Sequence, residues 1–403
     1  MAGITLNDVS NILEKIIRPA VEDQLYNRVI LWNMFGGFDP GTGDLKNKNA
    51  GVLKTDMDNQ TFYVPTLQAH SNGAVTIAEG GTLVSGKPQL DQAAISARYA
   101  TGTFQITKQT LAIRDAGIAV RQLDFYMKQN VLAMAIDLNR QGYNDGSGTI
   151  TTAAGSGTAA TALTFTASPN GDIDYTLYTP PGTILSIGGA QATVATIVAK
   201  NQITLAQATT WSNLATIKKL DGAGGAVVEM DGLNEALSTT STYQGINPST
   251  DPSWVAAYVS NPGSSVNLAL SDMYQAFLQA NRTGNCKYIV MNMTEFLKYG
   301  SLLQGQLRFD YKEVLGGGWK GLDFMGGNAQ VVLDYTCPDD HIYFLSPEYW
   351  TIGEMKPFEW EKGTDGVLLR IQGTLNYEAT GTWFGNFGNF KRSANALLAN
   401  RVG

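Results

Sequence analysis

The spacing of apolar residues at the start of the chain predicts a helical arm. Apolar residues recur there every three to five positions, as one face of a helix requires. They are Ile12, Ile16, Val21, Leu25 and Val29. Asn7 or Asp8 can cap this helix, and Pro19 predicts a kink in it. The Gly-rich stretch after Trp32 has no regular period and indicates a connector, so residues 1–55 are predicted to form an arm.

From Thr61 the apolar period changes to two, which is typical of β-strands. Phe62 and Val64 alternate with polar neighbours. Two pairs of turn residues follow, Asn72-Gly73 and Gly80-Gly81. We therefore predict a long β-hairpin over residues 56–106. It has too few large apolar residues to fold alone, so we expect it to extend and lie on another surface.

The clearest helical pattern covers residues 107–145. Large apolar side chains form one broad stripe along it: Leu111, Ile118, Val120, Leu123, Met127, Val131 and Leu138. This helix would be on the order of 50 Å long, with Gly142 marking its end. The opposite face carries charges that include Arg114 and Arg121. They belong either to a solvated flank or to salt bridges between subunits.

Residues 146–225 are rich in Thr, Ala and Gly and almost without charge. Short strand-like runs, among them residues 172–178, alternate with Gly and Pro turn signals. This spacing predicts a small all-β barrel or sandwich, inserted into the chain. Residues 226–403 then alternate strand and helix patterns, which indicates an α+β layered arrangement. The predicted helices there are 265–281 and 293–303, and the predicted strands are 287–292, 329–335, 341–346 and 366–377.

Charge and cysteine content exclude several classes of protein. Charged residues are only 16% of the chain and the net charge is −7, so much of the surface is neutral and we expect partners to cover it. A pI near 5.0 disfavours tight nucleic-acid binding. Two distant cysteines and an N-terminus without a leader pattern predict a reducing, cytoplasmic compartment. No apolar stretch is long enough to cross a bilayer.

Candidate catalytic and metal-ligating residues are few. Cys337, Asp339, Asp340 and His341 lie close together, but a zinc site needs further soft ligands and a catalytic cysteine needs a positioned base. We predict a turn there that leads into a strand. The aromatic residues near the C-terminus lack interleaved basic residues, which favours core and subunit contacts over nucleic-acid stacking. The sequence predicts no enzyme, no metal site and no cofactor.

Residues 230–254 are similar to a stretch found in major capsid proteins of tailed bacteriophages. The shared pattern, G-L-x-x-A followed by T-Y-x-G-I and W, falls here on Gly232, Leu233, Ala236, Tyr243, Gly245, Ile246 and Trp254. Residues 340–350 resemble the strand and turn that those proteins carry late in the outer domain. The order of the predicted elements also resembles the α+β, Hong Kong 97-like capsid fold, which encapsulin shells share.

The resemblance implies a coat protein that self-assembles, in the host cytoplasm, into the icosahedral head shell of a virion. Hexamers and pentamers of the chain would enclose double-stranded DNA without tight sequence-specific binding. Portal and scaffolding proteins, and a decoration protein, are the implied partners, with no membrane. The implied subunit contacts are Phe62, Val64, Asn72, Gly73, Gly80, Gly81, Arg114, Arg121, Tyr243 and Trp254.

The resemblance also assigns a role to each predicted region. The hairpin, or E-loop, of residues 56–106 would lie over a neighbouring subunit. The peripheral domain would comprise the spine helix of 107–145 and residues 226–262. Residues 263–365 would form the axial domain, and 366–403 would return to the peripheral domain. The β insertion of 146–225 departs from the minimal fold.

Two other classes of protein remain as alternatives. An encapsulin-like compartment would share the fold, but it would need an internal groove for cargo and no inserted surface domain. A phage adhesin or tail-associated β protein would explain the insertion, but not the spine helix.

Overall fold

The computed structural model describes residues 29–35, 53–56, 60–111, 116–167, 173–304, 323–324, 329–362 and 367–402. Within these ranges the chain has the predicted α+β fold. The α-helices are α1 (Ile30–Met34), α2 (Lys108–Leu111), α3 (Ala116–Tyr143), α4 (Leu233–Ala236), α5 (Leu270–Thr283) and α6 (Met293–Gln304). The predicted helical arm before residue 29, with its kink at Pro19, lies outside the described residues.

The β-strands of the described ranges form three larger sheets and two ribbons. In chain order they are β1 (Leu53–Asp56), β2 (Thr61–Ala69), β3 (Gln89–Ser96), β4 (Arg98–Thr107), β5 (Thr149–Thr152), β6 (Gly157–Thr164), β7 (Ile184–Ile187), β8 (Ala190–Ala199), β9 (Gln202–Trp211), β10 (Thr216–Lys219), β11 (Tyr258–Ser260), β12 (Val266–Asn267), β13 (Tyr288–Met291), β14 (Asp323–Phe324), β15 (Ala329–Leu333), β16 (Ile342–Leu345), β17 (Trp350–Trp360), β18 (Leu369–Arg370), β19 (Asn376–Asn389), β20 (Ala396–Leu398) and β21 (Arg401–Val402).

The central sheet is built around its longest strand, β19. β19 pairs antiparallel with β17 along its C-terminal part and with β4 along its N-terminal part. β1 adds to the sheet in parallel with β17. Gly385 of β19 permits the close pairing of β19 with β17, because a Cβ atom at Gly385 would lie 2.6 Å from the carbonyl oxygen of Gly353 in β17.

The extended hairpin is shorter than the sequence predicts. β2 and β3 pair antiparallel. The pairing begins at Thr61 and Ser96, at the base of the hairpin, and continues to Ala69 and Gln89. Residues 98–107, which the prediction included in the hairpin, instead form β4 of the central sheet. The alternating pattern of β4 is real, but it cannot identify a partner strand that lies more than 270 residues later in the chain. We use the name extended hairpin for residues 61–96.

The long helix begins later than the sequence predicts. Strand β4 continues to Thr107, the short α2 follows, and α3 then spans the 28 residues from Ala116 to Tyr143. At 1.5 Å per residue, α3 is roughly 40 Å long. Its C-terminal half carries Val131, Ala135 and Leu138 into the main core, because these residues recur on one face.

Residues 149–219 form a closed six-stranded barrel. The strand order is β5-β10-β7-β8-β9-β6, and a bridge between Ala153 and Phe165 joins β6 back to β5. The barrel has a core of its own, which includes Phe165, Ile187 and Ile203. The strand predicted at 172–178 is wrong, because Tyr175–Tyr178 form a 3-10 helix. The side chain of Asp174 caps this helix by accepting from the amide of Thr176.

The third sheet has the order β11-β20-β16-β13-β15-β14. β13 is parallel to β15 and antiparallel to β16. Helices α5 and α6 cover this sheet, and Met273, Phe277 and Ala280 recur at helical spacing on the buried face of α5. The predicted helix of 265–281 is thus displaced towards its C-terminus, since Val266 and Asn267 form strand β12 instead.

Aromatic side chains fill the main core between α1 and the central sheet. Trp350 stacks on Phe387 with ring centroids 4.7 Å apart, Phe35 meets Phe387 at 4.5 Å, and Trp32 meets Trp383 at 5.2 Å. Trp350, Trp383 and Phe387, three of the aromatic residues near the C-terminus, are therefore core residues. None of the helices in the described ranges combines the length and the apolar character that a membrane crossing requires.

Candidate assembly interface

The extended hairpin exposes an unusual concentration of apolar side chains. Seven large apolar residues of the hairpin face solvent: Tyr63, Leu67, Val75, Ile77, Leu83, Val84 and Leu90. Leu83 is 81% exposed and Leu90 is 65% exposed. A soluble monomer rarely leaves so many apolar groups together in water, and such patches mark surfaces that bind other proteins.

The base of the hairpin is fixed to its own subunit. Ala93 and Ile95 of β3 are fully buried, and the amide of Ala94 donates to the carbonyl oxygen of Gln244 at 2.8 Å. On β2, Gln68 donates to the carbonyl oxygen of Thr250. One end of the hairpin is thus held by packing, while its outer part, between residues 70 and 90, projects away from the core.

The predicted contact residues of the hairpin lie at both of its ends. Phe62 and Val64 are half-buried near the base. The predicted turn residues lie in the outer part, where Gly80 adopts a φ of +75° and the amide of Gly81 donates to the carbonyl oxygen of Ala78. Asn72 and Gly73 form a turn closed by Ser71, whose hydroxyl accepts from the amide of Gly73.

Tyr243 and Trp254, also predicted as subunit contacts, are buried in the core of the subunit. Tyr243 and Ile246 bond each other's backbone across a tight turn whose central residues, Gln244 and Gly245, have φ of 52° and 83°. Such a turn favours glycine, which explains the T-Y-x-G-I pattern physically. The indole of Trp254 donates to the carbonyl oxygen of Tyr243 at 3.1 Å. This burial is inconsistent with contact to another subunit.

The two rings form a cage around Arg392, a residue that is not among the contacts predicted from the sequence. Arg392 is 1% exposed, and its guanidinium lies 5.4 Å from the ring of Tyr243 and 6.0 Å from that of Trp254. It donates to the backbone carbonyl oxygens of Ala236 and Trp254, both at 2.6 Å, and to that of Ser238. Burial lowers the pKa of Arg392 to about 10, so it stays charged at neutral pH.

Of the predicted arginine contacts, Arg114 lies outside the described residues. Arg121 lies within α3, but its side chain is outside what the structure describes. Both therefore stay predictions.

A buried ion-pair network joins the end of α3 to the barrel. Arg140 donates to Asp137 at 3.1 Å and to the carbonyl oxygen of Thr149 at 3.1 Å, and it forms a two-pronged pair with Glu229. Lys219 of β10 reaches Asp137 at 3.4 Å. Burial alone would raise the pKa of Asp137, but Lys219 and Arg140 hold it below its usual value. The network fixes the barrel on the spine helix.

The carboxylate of Asp334 accepts hydrogen bonds from three parts of the chain. It accepts from the hydroxyl of Tyr143 at 2.8 Å, the amide side chain of Asn139 at 3.3 Å and the backbone amide of Leu31 at 3.2 Å. The amide of Thr336 donates to its other oxygen at 2.9 Å. Asp334 thus ties α1 and α3 to the turn that follows β15.

The Cys337–His341 segment forms a turn that leads into β16, and its groups are poorly suited to catalysis. Burial raises the pKa of the Cys337 thiol well above its usual value, which disfavours the reactive thiolate. Burial also lowers the pKa of His341, whose Nδ1 lies 2.8 Å from the carbonyl oxygen of Asp339 and donates to it. Among the residues that the structure describes, no group of three His, Cys, Asp or Glu side chains is placed to hold a metal ion.

The central sheet, the long helix, the helix-covered sheet and the projecting hairpin together define a shell-forming protein of the Hong Kong 97-like fold. Residues 99–366, about two thirds of the chain, match the family described as SU10 major capsid protein. The chain belongs to this family of major capsid proteins. It is therefore a coat protein of a phage head shell and a component of the virion, and the encapsulin-like alternative is not favoured.

Solved structures support the assignment of the fold. The chain is similar to a protein of the cyanophage A-1(L) capsid asymmetric unit, with 11% identity, a TM-score of 0.58 and coverage of 97% of this chain and 98% of that one. It is also similar to the capsid of a native GTA particle computed with C5 symmetry, with 12% identity, a TM-score of 0.51 and coverage of 96% and 95%. A comparison with curated proteins finds no match.

Proposed function

We propose that copies of this chain assemble as hexamers and pentamers into an icosahedral shell around double-stranded DNA, with the extended hairpin of each copy covering a neighbouring copy. The exposed apolar side chains of the hairpin carry this proposal, because their burial is a driving force for association. The acidic net charge of −7 fits a shell that encloses DNA without binding it tightly.

Each region would then have its own part in the shell. Residues 56–106 would supply the hairpin and 107–145 the spine, with 226–262 and 366–403 completing the peripheral domain. Residues 263–365 would form the axial domain around the local symmetry axes. The barrel within 146–225 would face outward, where its neutral surface could meet a decoration protein.

Assembly would take place in the host cytoplasm with portal and scaffolding proteins. Each copy would contribute several modest contacts, and closure of the shell would multiply their effect through effective concentration. The buried thiols Cys286 and Cys337 are compatible with a reducing compartment.

The hairpin contact is tested by replacing its apolar residues. In a triple variant, Leu67→Ser, Leu83→Ser and Leu90→Ser, we expect the subunit to fold normally because all three side chains already face solvent. Assembly should fall at least several-fold, measured as the fraction of protein that sediments as particles after expression with the neighbouring genes. Leu214→Ser is the matched control, since Leu214 lies outside the hairpin in the barrel and is 61% exposed. Wild-type yields of particles from the triple variant would refute the hairpin's role.

A further inference from the structure

The dipeptide Asn72-Gly73 lies at the start of the outer part of the extended hairpin. The pairing of β2 with β3 ends at Ala69 and Gln89, so this dipeptide lies beyond the paired strands. Asn72 is exposed to solvent. The amide of Gly73 donates to the hydroxyl of Ser71 at 3.2 Å rather than across a β-ladder. The backbone of the dipeptide is therefore not fixed by strand pairing.

The side-chain amide of Asn72 and the backbone amide of Gly73 border the same small space. Gly86 lies on the opposite side of the hairpin and has no side chain to fill this space. A Cβ atom at Gly86 would lie 2.2 Å from the amide nitrogen of Gly73 and 2.3 Å from Oδ1 of Asn72. The two amide groups thus lie beside each other, and such proximity favours a reaction between them.

The side-chain amide of Asn72 is not held in place. Within the described ranges of the chain it makes no hydrogen bond. Two other exposed asparagines differ from it. Oδ1 of Asn213 accepts from the amide of Gly155 at 2.9 Å, and Asn247 is followed by Pro248, which has no N–H group. Asn72 instead combines an unheld side-chain amide with a following glycine, whose nitrogen no side chain shields.

We propose that Asn72 is a site of spontaneous deamidation, and that deamidation removes unassembled subunits from shell formation. The backbone nitrogen of Gly73 attacks Cγ of Asn72 and closes a succinimide ring, while the bond between Cγ and Nδ2 breaks. The proton of the Gly73 amide leaves with the expelled ammonia. Water then opens the ring at either carbonyl carbon, which gives aspartate or isoaspartate at position 72. The new carboxyl group loses its proton to the ammonia near neutral pH.

The new carboxylate would lie at the start of an apolar surface. Val75, Ile77, Leu83 and Val84 are exposed in the outer part of the hairpin, which is the proposed contact with a neighbouring copy. Burial of a charge in such a contact is costly. Isoaspartate also adds a carbon atom to the backbone and changes the path of the hairpin. A subunit that deamidates before assembly should therefore join a shell less readily, and this consequence rests on the proposed function.

The first test follows the chemistry in the purified, unassembled wild-type subunit. Peptide mass analysis after incubation should find aspartate and isoaspartate at position 72, formed at least several-fold faster than the products of Asn213 and Asn247. The rate should rise from mildly acidic to mildly alkaline buffer, because the attacking nitrogen must lose its proton. Equal rates at the three asparagines would overturn the proposal.

Gly73→Ala tests the attack by this nitrogen. The added methyl group shields the nitrogen, and we expect the deamidation of Asn72 to slow several-fold. The methyl group would lie 3.1 Å from the backbone nitrogen of Gly86, a tight contact that is confined to the outer part of the hairpin. Gly263→Ala is the matched control, since a Cβ atom at Gly263 meets no described atom within 4 Å, and it should leave the rate unchanged. An unchanged rate in Gly73→Ala would contradict the mechanism.

The second test concerns assembly. Wild-type subunits are aged until part of them is deamidated and are then assembled with the products of the neighbouring genes. Deamidated chains should be several-fold rarer in the particles than in the subunits left over. Asn72→Gln keeps an exposed amide but must close a larger ring, so its aged and fresh subunits should assemble equally well.

Equal proportions of deamidated wild-type chains in particles and in leftover subunits would refute the effect on assembly. A failure of fresh wild-type subunits to form any particles would contradict the proposed function, and with it this effect. The deamidation itself is decided by the first test, which needs no assembly.

Discussion

Replacement of Arg392 by Met tests whether the cage of Tyr243 and Trp254 stabilises the subunit itself. The buried guanidinium donates hydrogen bonds to three carbonyl oxygens, those of Ala236, Ser238 and Trp254. Hydrogen bonds from a charged donor contribute about 1.5–3 kcal/mol each, and buried acceptors left unpaired cost about 1–3 kcal/mol. Because such effects are not additive and water can enter, we expect a loss of about 4 kcal/mol in the free energy of unfolding.

The assay is urea unfolding of the unassembled subunit, followed by tryptophan fluorescence, because Trp254 and three further tryptophans lie in the main core. Lys391→Met is the matched control. Lys391 is half-buried and donates to the carbonyl oxygen of Thr283, so its loss should cost less than about 1 kcal/mol. Arg392→Lys should recover less than half of the lost stability, because one ammonium group cannot reach the three carbonyl oxygens with the guanidinium's geometry. Equal costs for Arg392→Met and Lys391→Met would refute the reasoning.

Three further predictions follow from the buried network and the barrel. Glu229→Gln should lower the subunit's melting temperature by several degrees, because the buried charge of Arg140 loses its two-pronged partner, and differential scanning calorimetry checks this. Asp334→Asn should speed hydrogen exchange of the α1 amides relative to those of the barrel, which do not depend on this carboxylate. Replacing residues 150–217 by a short Gly linker should leave a folded subunit by circular dichroism, because β5 and β10 pair side by side at the barrel's base. Complete unfolding of that variant would contradict an independent barrel.

The sequence predicts elements well where a short window carries the signal. Strands β13, β15 and β16 and helix α6 lie within the predicted segments or differ from them by about one residue at an end, because alternation and helical spacing are local properties. The predicted hairpin is wrong at its C-terminal end, because the signal that decides the pairing there is not local. The pattern of β4 is strand-like, but its partner, β19, is set by tertiary packing.

The buried polar sites around Arg392 and Asp334 could not be predicted from local patterns in the sequence. Arg392 meets residues near 240 and 254, and Asp334 meets Leu31, so no window of the sequence contains either site. One weak signal exists for Arg392, since an arginine shortly before the apolar run of residues 396–399 is unusual in a chain with so few charges. The same long-range packing explains why Tyr243 and Trp254, which the resemblance implied as subunit contacts, are buried within the subunit.

We expect copies of this chain to close into a shell. The most direct test is the mass of the particles formed when the wild-type chain is expressed with its neighbouring genes, combined with electron microscopy of the same sample. We expect closed particles with five-fold and six-fold clusters of subunits. Persistent monomers under all conditions, including in the presence of a scaffolding partner, would contradict this expectation.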